Sequence, residues 1–239
     1  MPVNVAAAEY DAVLFDMDGV LVEGRATPAW VYEQAARDAV SIFDATPTHE
    51  QLSTLQQQPY VPSIRACCEA LGIDPNAFWN VREQCASARC HRRFEAGKRT
   101  VYPDTDALLT LDVPLAVVSN NRATTVRYVS ERFFGGLFET ERGRDPTIEG
   151  FLRRKPETHY LDETLAALGT TDALYVGDRE TDILAATEAG IDSAYVRREH
   201  NADANLGVAP TFEIETLYDL HGTVSTTTQR GRSEPVHEH

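Results

Sequence analysis

The tetrad Ala12-Val13-Leu14-Phe15 is apolar throughout and runs directly into Asp16-Met17-Asp18-Gly19. A run so short and unbroken suits a strand buried on both faces of a parallel sheet. Two carboxylates at its end repel each other and call for a reason. Comparable apolar runs recur at 115–118, 173–176 and 193–196, and helical periodicity lies between them at 124–134, 158–168 and 182–189. This alternation predicts an α/β protein with a doubly wound parallel sheet.

Between the first and second runs the pattern changes. Residues 28–43, 49–57, 63–71 and 76–94 read as successive helices, with Pro28 suited to a first turn after Thr27 and Asn76 to a cap after the Asp74-Pro75 break. Seventy helical residues interrupting a βαβ series predict an inserted all-helical cap domain at 24–97, on a core of 1–23 and 98–222. The hinges are expected at 23–25 and 97–102. The stretch 223–239, rich in Thr, Ser, Arg and Glu without periodicity, is expected to be disordered. Its His237 and His239 read as solvated rather than metal-binding.

Composition narrows the function. A net charge of −15 disfavours nucleic acid and anionic membrane as partners. No apolar run approaches the roughly 20 residues of a membrane span, and residues 1–10 lack a secretory pattern, so a cytoplasmic location is expected. The 22 basic side chains include only two lysines, Lys98 and Lys155. An acidic chain nearly emptied of lysine predicts work in concentrated salt, where a short Debye length screens self-repulsion. A melting temperature that falls as KCl rises to molar levels would refute that expectation. The four cysteines, Cys67, Cys68, Cys85 and Cys90, read as small buried residues on helices. A zinc site with His91 lacks paired spacing, and a disulfide is less expected in a reducing compartment.

Four motifs sit at or just beyond strand ends, where open parallel sheets bind ligands. In Asp16-Met17-Asp18-Gly19-Val20, carboxylates two apart in extended chain face the same side. One can attack phosphorus and the other can exchange a proton. In Val117-Val118-Ser119-Asn120, the hydroxyl of Ser119 and the backbone N–H of Asn120 can donate to a phosphate oxygen. The ammonium of Lys155, before Pro156, can neutralise phosphate and nucleophile together. In Gly177-Asp178-Arg179-Glu180-Thr181-Asp182, carboxylates four apart at a helix start can converge on a hard cation. Magnesium needs only a set such as Asp16, Asp178 and one backbone carbonyl.

In this order the motifs resemble those of the haloacid dehalogenase superfamily of phosphatases, over roughly residues 10–220. The resemblance implies Asp16 as nucleophile, Asp18 as general acid/base, Ser119 as phosphate-binding hydroxyl, Lys155 as stabilising cation and Asp178 as Mg²⁺ ligand. It also implies a ligating backbone carbonyl at Asp18, with Asp182 supporting the metal from behind. A Rossmann-like core with a helical cap, similar to phosphoglycolate phosphatases and β-phosphoglucomutases, follows. So does a small phosphorylated metabolite as partner, with the chain a monomer or homodimer. Asp18 disfavours dehalogenation, which needs no proton donor. Lys98, at the cap's exit, is the one candidate for the Schiff base of phosphonate hydrolysis and is poorly placed for it. Phosphatase is the simplest reading. A phosphosugar mutase, or a non-enzymatic binding protein that keeps the fold, is the alternative.

Specificity is expected from the cap. Arg89-Cys90-His91-Arg92-Arg93-Phe94 is basic and can hold a carboxylate or second phosphate, though a solvated helix face explains it more simply. Arg65 is a further candidate, and His91 reads as structural. Of Arg142, Arg144, Arg153 and Arg154, one is expected to meet substrate and at least two to be surface charges.

Overall fold

The structure is a computed structural model that describes residues 5–56 and 61–221. Six strands form one sheet: β1 (Ala12–Phe15), β2 (Leu115–Arg122), β3 (Thr140–Arg144), β4 (Ala173–Gly177), β5 (Asp192–Val196) and β6 (Phe212–Ile214). All pairings are parallel and the order is β3-β2-β1-β4-β5-β6. The chain reverses its winding between β1 and β4, so a crevice opens at their C-terminal ends. Phe15 pairs with both Val117 and Val176, which brings the residues following three strands to one place.

Alternation along β1 explains the unbroken apolar run. Val13 and Phe15 enter one hydrophobic cluster with Val117, Leu174 and Val176, while Ala12 and Leu14 enter another with Val118, Tyr160 and Tyr175. All four β1 residues are buried. The two outer strands carry no such signature and escape sequence analysis. β3 is the polar edge Thr-Glu-Arg-Gly-Arg, and β6 is three residues long.

Four helices, α1 (Ala29–Ile42), α2 (His49–Gln56), α3 (Val61–Ala70) and α4 (Pro75–Glu95), lie between β1 and β2. Two starts differ from expectation. The α1 N-cap is Pro28 itself, not Thr27, because its extended backbone precedes the helix. For α4 the cap is Asp74, not Asn76: its carboxylate accepts the Ala77 N–H at 2.7 Å, and Pro75 takes the first helical position, where no N–H is required. Trp79, Phe78, Leu55 and Ile64 fill the centre of this cap, joined by Ile148 and Phe151 of α6 (Ile148–Leu152), the helix after β3. Trp79 meets Phe151 edge-on at 5.0 Å. The cap therefore closes its hydrophobic centre with side chains from the other side of the crevice.

The two cap linkers run side by side. The Glu23 N–H donates to Thr100 O at 2.9 Å and the Tyr102 N–H to Leu21 O at 3.0 Å. Cys67 and Cys68 belong to the cap's hydrophobic centre, and burial pushes the Cys68 thiol up to about 12. Cys90 is buried and accepts from Arg122, and His91 stacks on Tyr128 at 4.0 Å. No helix among the described residues is long and apolar enough to cross a membrane. The expectation for 223–239 lies outside the described residues.

Candidate active site

Two glycines allow the strand ends to converge. Gly19 has φ +88°, and a Cβ there would lie 2.2 Å from Asp178 Oδ2. A Cβ on Gly177 would lie 2.3 Å from the Asp182 Cβ. Only glycine lets the first acidic motif turn across the last and the last fold back on itself.

Asp16, Asp178 and Asp182 each place a carboxylate oxygen within 4.8 Å of the others, and all three residues are buried. Lys155 Nζ lies 3.1 Å from Asp16 Oδ1 and 2.7 Å from Asp182 Oδ1. It also donates to Val118 O at 3.1 Å and to the Tyr175 hydroxyl. Burial disfavours the Lys155 ammonium, but Asp16 and Asp182 outweigh it and hold its pKa above the ordinary lysine value. A compact ammonium reaches four oxygens here where a planar guanidinium would not fit, which explains a lysine in a chain that otherwise uses arginine.

Asp182 has no oxygen to spare. Its Oδ1 faces Lys155 and its Oδ2 accepts the N–H groups of Asp178 and Arg179 at 3.1 and 3.0 Å, as the third residue of α8 (Glu180–Glu188). Asp178 Oδ1, in contrast, is buried without a hydrogen bond, and Asp16 Oδ1 has the Lys155 ion pair but no hydrogen bond. Burial, and then the neighbouring Asp16, raise the Asp178 carboxyl, and burial pushes Asp182 up to about 6 despite Lys155. Three carboxylates face one ammonium and the Arg179 guanidinium, which lies 3.7 Å from Asp178 Oδ1. The remaining negative charge and the unbonded Asp178 Oδ1 fit a hard divalent cation held by Asp16 and Asp178.

Ser119 is buried at the end of β2's apolar run, and its Oγ accepts the Asn121 N–H at 3.2 Å. The Asn120 side chain grips the Lys155 backbone on both sides, accepting its N–H at 2.8 Å and donating to its O at 3.0 Å. Asp18 is held at both oxygens, by Arg99 and by the Asn121 amide, each at 2.7 Å. Arg99 also donates to Glu23 O and Gly24 O, at 2.9 and 3.0 Å, in the opposite cap linker. Neither Arg99 nor Asn121 carries a local signal; they lie 81 and 103 residues from Asp18. The neighbouring Lys98 is exposed.

These groups open on a cavity of about 180 Å³ whose far wall includes Thr27, Tyr32, Arg144, Phe151 and Arg154. The basic run of the cap does not reach it. Arg89 pairs with Asp38, Arg92 bonds Ala88 O of its own helix, and Arg93 lies over Trp30. Arg65 is exposed. The cavity's arginines come from the core: Arg144 and Arg154 line it, whereas Arg142 and Arg153 pair outward with Glu163 and Glu149. Arg144 is fixed by Glu83 of α4 at 2.7 Å and by Asn120 O at 3.0 Å, and its remaining Nη1 is buried without an acceptor.

Sheet order, helical cap and an acid-lined crevice at the switch point define the class: a capped, doubly wound Rossmann-like α/β fold with its polar groups at the strand ends. The sequence model of the haloacid dehalogenase-like hydrolases matches residues 10–190, and the chain belongs to that family. Solved structures share the fold at low identity. CbbY from Rhodobacter sphaeroides, in complex with phosphate, is 15% identical with TM-score 0.61, over 88% of this chain and 96% of that one. A Lactobacillus plantarum protein provisionally named a phosphoglycolate phosphatase is 18% identical with TM-score 0.56, over 88% and 97%. A subfamily IA hydrolase from Geobacter sulfurreducens is 19% identical with TM-score 0.52, over 88% and 97%. A search of curated proteins finds no match.

Proposed function

We propose that this hydrolase is a Mg²⁺-dependent phosphatase of a small phosphomonoester, with Asp16 as nucleophile and Asp18 as general acid/base. The observation that carries the reading is the buried group of Asp16, Asp178 and Asp182 around Lys155, of which Asp16 and Asp182 line the cavity beside Ser119. Asp16 attacks phosphorus, its oxygen bonding as the ester oxygen leaves. The leaving alkoxide takes a proton from Asp18 and departs as alcohol. Water then gives a proton to Asp18 and attacks the phosphorus of the aspartyl-phosphate, releasing inorganic phosphate and restoring the Asp16 carboxylate. The proton carried by Asp18 adds to an oxygen that already accepts from Arg99 or Asn121, and it weakens that hydrogen bond. Lys155, Ser119 and the Asn120 N–H stabilise the phosphoryl oxygens. Asp16, Asp178 and the Asp18 carbonyl would hold Mg²⁺, which when bound would supply positive charge for the substrate phosphate and the cluster alike.

The same proposal divides the chain into a core of 1–23 and 98–222 and a cap of 24–97. Gly24 and Gly97, at positive φ in the paired linkers, support it. Arg144 and Arg154 at the cavity's far wall favour a substrate with an anionic group beyond the scissile phosphate. CbbY has been solved with xylulose-(1,5)bisphosphate.

A panel of phosphate esters, assayed for released phosphate with Mg²⁺ and with EDTA, tests this. Phosphate release is expected with Mg²⁺ and loss to background with EDTA. Esters bearing a second carboxylate or phosphate should show lower KM than neutral ones. Isomerised product with little free phosphate would instead identify a mutase, which uses the same two carboxylates. Full turnover in EDTA would remove the metal from the mechanism.

A further inference from the structure

Asp178 is held by two consecutive residues that no motif contains. His200 Nε2 lies 2.7 Å from Asp178 Oδ2, and the Asn201 amide donates to the Asp178 backbone O at 2.9 Å. Asn201 is fixed in turn: it donates to Val196 O at 3.0 Å and its Oδ1 accepts the Arg198 N–H at 2.6 Å. The turn after β5 thus docks on the carboxylate that ends β4. The consequence lies in which oxygen is left. With Oδ2 bonded to His200, the Asp178 oxygen left without a hydrogen bond is Oδ1, which is buried. The nearest cation to it, Arg179 Nε, is 3.7 Å away, beyond hydrogen-bond reach. A carboxylate accepts, so the Nε2 of His200 is the donor.

We infer that His200 is a positioning residue for the metal site, occupying one oxygen of Asp178 so that the other meets a divalent cation as a single, oriented ligand. This rests on the reading of Asp178 as a metal ligand. A free carboxylate rotates and offers both oxygens in several arrangements. A fixed one loses that entropy before the cation arrives, and partners of this kind typically contribute 10–100-fold in metal affinity. His200 lines a second cavity of about 380 Å³ together with Asp178, Arg25, Arg179 and Tyr195, and it is not among the residues lining the substrate cavity.

The test is a Mg²⁺ titration without substrate at constant ionic strength, read as the rise in melting temperature and checked by calorimetry. His200→Ala and His200→Phe, one smaller and one volume-filling, should need roughly 10–100-fold more Mg²⁺ for half the stabilisation. His200→Gln keeps an N–H donor and should recover most of the affinity. Two non-donor variants guard against failure of either to fold. A merely structural role would lower the metal-free melting temperature and leave the Mg²⁺ midpoint unchanged in Ala and Phe, and that result overturns the proposal. Absence of any Mg²⁺ effect in the unaltered chain would overturn the metal reading along with it.

Discussion

Asp16→Asn should reduce turnover by about 10⁴-fold or more, since the amide oxygen cannot take the place of an ionised nucleophile. The substitution is nearly isosteric at a buried position, and it removes one of three crowded carboxylates. Its melting temperature should therefore match or exceed that of the unaltered chain. The pairing of intact stability with lost activity separates a chemical role from a structural one. Released phosphate from a preparation free of deamidation and of contaminating phosphatases is the measurement. Near-normal turnover there would end the covalent mechanism.

Lys155→Met should damage both properties. Lys155 is buried, ion-paired with Asp16 and Asp182, and donates to Val118 O and the Tyr175 hydroxyl. Removing the ammonium leaves two buried carboxylates without their cation, a loss of about 3–5 kcal/mol for breaking a buried pair. Activity should fall by roughly 10²–10³-fold, the usual loss when one stabilising group at a reacting centre is deleted. Lys155→Arg should not restore either, because the planar fork cannot reach four oxygens arranged around a point. Chemical denaturation and kinetics in the same buffer check both. A Lys155→Met protein as stable as its parent would mean that the cluster's charge balance has been misjudged.

What could be read in advance follows the range of the interactions. The inner strands declared themselves because burial on two faces leaves an unbroken apolar run, as in Ala12-Val13-Leu14-Phe15. The edge β3 did not, because its polar side chains are half-buried or buried through hydrogen bonds and ion pairs rather than apolar packing: Glu141 accepts from Ser130, and Arg142 pairs with Glu163. Asp16, Asp18 and Asp178 were legible because each follows a strand end, and Lys155, which follows the helix Ile148–Leu152 rather than a strand, because it is one of only two lysines in the chain. Arg99, Asn121 and His200 were not, because each acquires its partner only when segments 81, 103 and 22 residues apart are brought together. The basic run 89–94 misleads for the converse reason: charge density along a helix does not tell which side faces the crevice. Arg144, with one arginine's worth of signal, reaches the cavity because β3 runs beside β2.

The meeting of Glu83 with Arg144 has a mechanical consequence. One belongs to the inserted helices and the other to the sheet, and their side chains are 1% and 3% exposed. Drawing the two apart admits solvent to a carboxylate and a guanidinium that had none, and hydration repays much of the lost attraction. A greasy seam of the same area would offer no such refund on parting. The apolar contact of Trp79 with Phe151 lies in the same seam, so charge and apolar packing together hold the inserted helices to the sheet side, and only the charged part regains hydration when they part.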